Sequence, residues 1–150
     1  MIEAAALHEL MGKWWFSYDE GDFDALKELL TDDVHFSART DSPEVAWAEF
    51  VRADLTGKDD VMEWHIDHRV NSPYPLRHHG SNAHFTEHRA SESAFAMYID
   101  VSQIVNEMPS PLPGGVVHGV IRKEPDALRI AALELVLDTM ESKLFSEVRT

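Results

Sequence analysis

One stretch of the sequence decides the fold: Trp15-Phe16-Ser17-Tyr18-Asp19-Glu20-Gly21-Asp22-Phe23-Asp24-Ala25-Leu26. It ends one amphipathic helix and begins another. Apolar residues recur with the spacing of a single helix face at Leu7, Leu10, Met11, Trp14, Trp15 and Tyr18. Gly21 breaks this helix, and Asp22 is suited to cap the next one. We therefore expect two helices, followed by an alternating strand at 34–37.

The middle of the chain contains a third helix start and one ambiguous segment. Ser42-Pro43-Glu44 has the composition of a helix start, so we expect a helix that continues to Gly57. The segment Asp60–Val70 is compatible with either a helix or a strand. Two prolines within Asn71–Pro75 indicate a loop, because proline cannot donate a backbone hydrogen bond.

The second half of the chain has the character of a sheet. Strands are expected at Leu76–Glu87, at 95–105, where apolar residues alternate, and at Val116–Arg122. Three prolines and two glycines in Met108–Gly115 indicate a surface loop. Helix propensity and strand alternation conflict in Leu128–Met140. We expect a strand there that pairs with 116–122, because sheet neighbours can override propensity.

This order of elements, helices first and antiparallel strands after, is typical of an α+β fold. A length of 150 residues fits one domain, residues 1–150. We expect the N-terminal helices to pack in a strongly curved, mostly antiparallel sheet. Such a sheet leaves a hollow, and hollows lined by aromatic residues are where small molecules bind. The sequence therefore predicts an enclosed pocket for a small organic ligand.

Composition and charge exclude several classes of function. A formal net charge of −14 argues against nucleic acid and against an anionic membrane surface as partners. The absence of cysteine removes disulfides, thiolate catalysis and zinc knuckles. The first seven residues, Met1–Leu7, lack the basic region of a signal peptide. We therefore expect a soluble, cytoplasmic protein.

Residues 15–26, together with Asp32-Asp33-Val34-His35-Phe36, resemble the opening of the SnoaL-like, or nuclear transport factor 2-like, superfamily. The motif Leu76-Arg77-His78-His79-Gly80-Ser81-Asn82 is similar to the third-strand motif of the same superfamily. The resemblance covers nearly the whole chain in its order of elements. It implies a cone-shaped, cystatin-like α+β barrel.

The resemblance also implies a site. Tyr18-Asp19 resembles the Tyr-Asp pair of scytalone dehydratase, and the His-Asp dyad of hexachlorocyclohexane dehydrochlorinase falls on His78 and Asp19. Both relatives remove a proton from carbon and expel a leaving group. The second catalytic histidine and the second tyrosine of scytalone dehydratase have no counterpart at 95–99 and 37–38. Only the dyad is retained in the comparison.

Helical spacing alone directs attention to Asp19. It lies four residues after Trp15, on the buried face of the first helix, where an unpaired carboxylate costs several kcal/mol. An imidazole is its natural partner, since the carboxylate would fix the tautomer of a histidine that takes a proton from carbon. The alternatives are that Asp19 faces solvent and that His78 is a structural histidine. Strand alternation does not decide which face of the His78 strand points inward.

The other candidate site residues would line the pocket. We expect Tyr18 and Asn82 to bind a carbonyl or leaving-group oxygen. Arg122 is a candidate to steady an oxyanion, with a surface salt bridge as its alternative role. The aromatic candidates for substrate binding are Trp15, Trp47, Phe50, Trp64 and Tyr98.

No metal or cofactor is expected. His65 and His68 have helical i, i+3 spacing, and His84 and His88 have i, i+4 spacing. No carboxylate or cysteine completes a recognised ligand pattern with them. We expect most of these histidines to lie on the surface or in loops.

The sequence leaves three functional hypotheses. The first is a cofactor-free lyase of the dehydratase type, or an isomerase or cyclase, in which His78, Asp19 and Tyr18 act on a small hydrophobic cyclic substrate. The second is a non-catalytic protein that binds a small ligand. The third is a structural role as a homodimer or higher homo-oligomer, with the sheet as the interface.

Overall fold

The architecture is one six-stranded sheet with helices packed against it. The structure is a computed structural model that describes residues 1–148. Its helices are α1 (Ala4–Glu20), α2 (Phe23–Glu28), α3 (Ala48–Val51), α4 (Lys58–Val70) and α5 (Phe145–Val148). Its strands are β1 (Leu30–Thr40), β2 (Ala53–Thr56), β3 (Leu76–His88), β4 (Glu92–Val105), β5 (Met108–Lys123) and β6 (Leu128–Leu137).

The first two helices form as their sequences predict. Helix α1 buries the expected apolar face and ends at Gly21, whose φ of 70° lies in the left-handed region that favours glycine. Helix α2 begins at Asp22, whose side chain accepts a hydrogen bond from the backbone N–H of Ala25. The turn between the helices lets α1 expose Glu20 and bury Asp19 at its end.

The sheet has the strand order β2-β1-β6-β5-β4-β3. Strands β1 and β6 are parallel, and every other neighbouring pair is antiparallel. The expected strand at Leu128–Met140 is confirmed as β6, which pairs with β5 from Gly115 to Lys123. The ambiguous segment Asp60–Val70 lies in helix α4.

Two sequence expectations about the middle of the chain are wrong. The helix expected from Pro43 to Gly57 is reduced to the single turn of α3, after which β2 pairs antiparallel with β1. The surface loop expected at Met108–Gly115 is instead the first half of β5, paired with β4. Strand β6 reaches only to Gly115 on the other side, so the prolines lie where β5 has a free edge, which is where sheets tolerate proline.

The hydrophobic core lies between α1 and the inner face of the sheet. Fully buried side chains from both layers meet there: Leu7, Met11, Trp14, Phe95, Ile99, Ile121, Ile130 and Leu133. Gly119 lies under the ring of Phe95, where a side chain on β5 would occupy the space of that ring.

We expect Gly119→Ala to lower the free energy of unfolding by about 1–3 kcal/mol, the usual cost of overpacking. The added Cβ would lie 2.4 Å from Phe95 Cζ and 2.8 Å from the backbone oxygen of Ala132. Gly12→Ala, in α1, is the matched control, because nothing lies within 4 Å of its new methyl group. Helix propensity should make that variant more stable by about 1 kcal/mol. Urea unfolding measures both, and equal stability of the two variants would contradict the packing argument.

Candidate functional site

The site is organised around the carboxylate of Asp19, in the last turn of α1. Asp19 Oδ1 lies 2.5 Å from His78 Nδ1, and Asp19 Oδ2 accepts the backbone N–H of His78 at 2.8 Å. Both side chains are largely buried, 6% exposed for Asp19 and 13% for His78. One carboxylate therefore fixes both the ring and the backbone of His78, and the sequence prediction that an imidazole partners Asp19 agrees with this contact.

The backbone carbonyl of Asp19 is held by the buried guanidinium of Arg69. Arg69, on α4, donates from Nε and Nη2 to the backbone carbonyl of Asp19 at 3.1 and 2.8 Å. It also donates from Nη1 to Ser72 Oγ at 2.8 Å and to the carbonyl of Pro73 at 3.0 Å. Within residues 1–148 these acceptors are all uncharged, so the cation serves the negative end of the α1 dipole. Arg69 thereby anchors the end of α1 to α4 and to the loop before β3.

Aromatic rings fix the orientation of the His78 ring. Trp15 stacks on it with ring centroids 5.1 Å apart and an interplanar angle of 8°. Tyr18 meets it edge-on at 5.5 Å. Among the described residues, the second ring nitrogen, Nε2, has no hydrogen-bond partner. An imidazole with Nδ1 held by a carboxylate and Nε2 free has the arrangement that a general base needs.

A cavity of about 330 Å³ lies beside this histidine. Its wall is mostly aromatic and aliphatic, and in the described part of the chain no Asp, Glu, Lys or Arg lines it. Among its polar side chains are Tyr18, His65, His68, Ser72, His78 and Gln103. The remaining aromatic wall consists of Trp14, Trp15, Phe36, Trp47, Phe50 and Trp64. We call this space the aromatic cavity.

A second, more polar groove of about 570 Å³ runs between α1 and β3. His8, Phe16, Arg77 and Asn82 are among the residues along it. Asp19 and Trp15 also line this groove, and His78 borders both the groove and the aromatic cavity. The His78–Asp19 pair therefore lies in the wall between two spaces.

The aromatic cavity contains two further histidines, both on α4 and both neutral at physiological pH. Burial lowers the pKa of His65 to about 4, and its Nδ1–H donates to the carbonyl of Val61 at 2.7 Å. Burial, with the nearby imidazole of His78, lowers the pKa of His68 to about 4 as well. Tyr18 Oη lies 2.7 Å from His68 Nδ1. Burial also raises the pKa of the Tyr18 phenol well above its ordinary value, so Tyr18 is protonated.

The structure brings together most of the residues that the sequence singled out. Trp15, Trp47, Phe50 and Trp64 line the aromatic cavity beside Tyr18 and His78. His65 and His68 also line it, although the sequence placed most histidines on the surface. The only available signal was their i, i+3 spacing on a segment that could also have been a strand.

Three residues expected to bind substrate lie outside the aromatic cavity. Tyr98 is 54% exposed, because its side chain points to the opposite face of β4 from the buried Met97 and Ile99. Asn82 adopts a φ of 58° where the β3–β4 register shifts, and it lies along the groove between α1 and β3. Arg122 forms surface ion pairs with Asp33 at 2.7 Å and with Glu92 at 2.8 Å.

Metal ligation and membrane spanning find no support in residues 1–148. No group of three or more His, Asp or Glu side chains is placed to hold a metal ion in that range. None of the described helices has the length and apolar character needed to cross a bilayer.

The curved sheet, the helices packed on it and the cavity between them define an α+β protein with the cystatin-like, nuclear transport factor 2-like fold. The chain belongs to the family of the SnoaL-like domain, whose model matches residues 2–134. No curated protein is a significant match to the chain.

Solved structures of low sequence identity share the fold. A nuclear transport factor 2-like protein with a cystatin-like fold from Novosphingobium aromaticivorans superimposes with a TM-score of 0.72 at 17% identity, covering 96% of this chain and 86% of that one. A provisionally assigned scytalone dehydratase of the same organism gives 0.70 at 16% identity, covering 93% and 86%. A provisionally assigned dehydratase from Streptomyces avermitilis gives 0.69 at 12% identity, covering 91% and 97%.

The two neutral histidines on α4 give stability a defined dependence on pH. The unfolded chain binds protons at these histidines near an ordinary pKa of 6.5, whereas the folded chain binds them only near 4. The unfolded state therefore holds more protons between these values, and the free energy of unfolding should fall as pH falls from 6.5 to 4. His65 alone should contribute on the order of 3 kcal/mol to this loss.

Urea unfolding from pH 7.5 to 4 measures the effect. We expect His65→Gln to flatten the dependence, because the variant has no proton to gain at this position. Gln103→Ala is the control, because it changes a side chain of the same cavity that does not titrate, and it should leave the slope as it is. An unchanged slope in His65→Gln would show that His65 is not buried in its neutral form.

Proposed function

We propose that the chain is a cofactor-free lyase of the dehydratase type, or an isomerase or cyclase, that acts on a small hydrophobic cyclic compound in the aromatic cavity. The single observation that carries this proposal is the placement of His78: its ring lines the aromatic cavity, Asp19 holds its Nδ1, and its Nε2 has no hydrogen-bond partner among the described residues. A histidine paired with a carboxylate in this way is suited to proton transfer.

The proposed step begins with a proton on a carbon atom next to a carbonyl group. His78 Nε2 takes this proton, and the electron pair of the C–H bond moves toward the carbonyl oxygen. Asp19 stabilises the imidazolium that forms, because its carboxylate accepts the Nδ1–H. In a dehydratase the carbonyl then re-forms, the electron pair makes a C=C bond, and the β-hydroxyl group leaves as its C–O bond breaks, taking the proton from His78 to form water. In an isomerase His78 returns the proton to a different carbon.

The surroundings of the pair support this proposal. Trp15 and the backbone bond to Asp19 hold the ring of His78 in one orientation, so little reorganisation precedes the reaction. The uncharged aromatic wall suits a hydrophobic ring. Two of the proteins with the same fold are themselves provisionally assigned as dehydratases.

A non-catalytic binding protein is the alternative. The same uncharged wall would retain a hydrophobic ligand without any reaction. The residues at 37–38, where scytalone dehydratase has its second tyrosine, are Ser37 and Ala38. Ligand binding without proton exchange would favour this alternative.

We expect the protein to catalyse exchange of α-protons for deuterium in neutral cyclic ketones such as 1-indanone, dissolved in D₂O. His78→Ala and Asp19→Asn should each slow the exchange, with about a 10²–10⁴-fold loss for His78→Ala, the usual contribution of a general base. Proton NMR of the ketone follows the reaction without knowledge of the natural substrate.

A second His–Asp pair provides a matched control. His35 Nε2 lies 2.7 Å from Asp54 Oδ1 on the exposed face of the sheet. The His35→Ala and Asp54→Asn variants should catalyse the exchange at the wild-type rate. Equal rates in the wild type and His78→Ala would remove His78 from the proposal, and the absence of exchange with ketones that bind would favour the binding protein.

A further inference from the structure

We propose that Tyr18 and His68 form an oxygen-binding subsite of the aromatic cavity, and that the ligand is a neutral ring compound with an oxygen that accepts a hydrogen bond. The proposal rests on the proposed function in one respect, that the ligand occupies the aromatic cavity. It assigns the recognition of the ligand oxygen to a histidine of α4 in place of Asn82.

The first argument is the rigid placement of the His68 ring. His68 stacks on Phe50 with centroids 4.3 Å apart and on Trp64 with centroids 4.5 Å apart. Its Nδ1 is hydrogen bonded to the Tyr18 hydroxyl at 2.7 Å. The faces and one edge of the ring are therefore committed to the protein, and the edge that carries Nε2 is the remaining polar position.

The second argument is that this remaining position is unsatisfied. His68 Nε2 is shielded from water and has no hydrogen-bond partner among the described residues. A buried polar group without a partner costs about 1–3 kcal/mol. His68 lines the aromatic cavity, so a ligand oxygen placed there would satisfy Nε2. Trp15 Nε1 is also unsatisfied, but it faces β3, since a Cβ on Gly80 would lie 3.2 Å from it.

The third argument concerns the number of protons in the pair. A neutral phenol and a neutral imidazole together carry two exchangeable protons, and the bond between them uses one. A phenol is the stronger hydrogen-bond donor of the two groups and an imidazole nitrogen is the stronger acceptor, so the hydroxyl of Tyr18 donates to Nδ1 of His68. The Nε2–H of His68 is then the donor left for the cavity, and the complementary group on the ligand is an acceptor oxygen.

The charges around the pair define the ligand further. Asp67, Arg69 and His78 are the charged or titratable groups that act on His68, and neither Asp67 nor Arg69 lines the aromatic cavity. A carboxylate or an ammonium group would lose its hydration there without meeting an opposite charge. A carbonyl or hydroxyl oxygen loses much less. In the proposed reaction, this donor would stabilise the negative charge that develops on the oxygen when His78 takes the proton.

The experiment compares 1-indanone with indane, which has the same rings and no oxygen, by isothermal titration calorimetry. Tyr18→Phe/His68→Phe removes both donors and retains six-membered rings for stacking. We expect this double variant to bind 1-indanone about 5- to 20-fold more weakly, because the carbonyl is left without a donor. Indane should bind within about 2-fold of the wild-type affinity, which also reports that the cavity is intact.

His35→Phe, on the exposed surface, is the control and should leave both affinities unchanged. An unchanged ratio of the two affinities in the double variant would overturn the subsite. If neither compound binds the wild type, the aromatic cavity is not a binding site and both proposals fail. If the double variant does not fold, the ¹⁵N chemical shifts of the His68 ring in the wild type provide the test. The resonance of His68 Nε2 should shift on addition of 1-indanone and not on addition of indane. Equal shifts with the two compounds would overturn the subsite.

The outcome separates this proposal from the proposed function. If the double variant changes the ratio of the two affinities and the wild type catalyses no deuterium exchange, the subsite is supported and the catalytic proposal fails. Exchange that depends on His78, together with an unchanged affinity ratio, would retain catalysis and remove the subsite.

Discussion

The bond between the Asp19 carboxylate and His78 is the interaction on which the site and much of the tertiary structure depend. One oxygen holds the imidazole of His78 and the other holds its backbone N–H, so a single side chain joins the end of α1 to the start of β3. Arg69 adds α4 to the same point through the carbonyl of Asp19. Because an unpaired carboxylate could not remain buried here, the geometry of the pair is enforced by the cost of breaking it.

This constraint divides the imidazoles of the site into two kinds. His78 has an anionic partner in Asp19. His65 and His68 have neutral partners in aromatic surroundings, which keep them neutral at physiological pH. In the proposed reaction, proton removal would fall to His78 and ligand recognition to the neutral His68. Tyr18 and Asp19, which are adjacent on α1, would then serve one function each in the proposed site.

The sequence predicted those features that local spacing determines. The apolar face of α1 placed Asp19 on the buried side, and the alternation in β6 outweighed its helix propensity. Features that depend on distant neighbours were missed. The segment after Pro43 forms β2 because β1 offers an edge, and Asn82 is turned outward by a register shift that no local pattern encodes. The position of His68 in the cavity wall was missed because a helix pattern does not reveal which face meets a cavity built by other elements.

The position of β6 between β1 and β5 has a consequence for biosynthesis. Phe36 pairs with Leu133, so the two halves of the sheet are joined only by a segment made almost a hundred residues later. On the ribosome, one edge of β1 must wait with unpaired backbone N–H and C=O groups until residue 137 has left the exit tunnel. Pairing between such distant segments folds slowly. Nascent chains of this fold should therefore depend on chaperones that shield strand edges until the last strand has emerged from the tunnel.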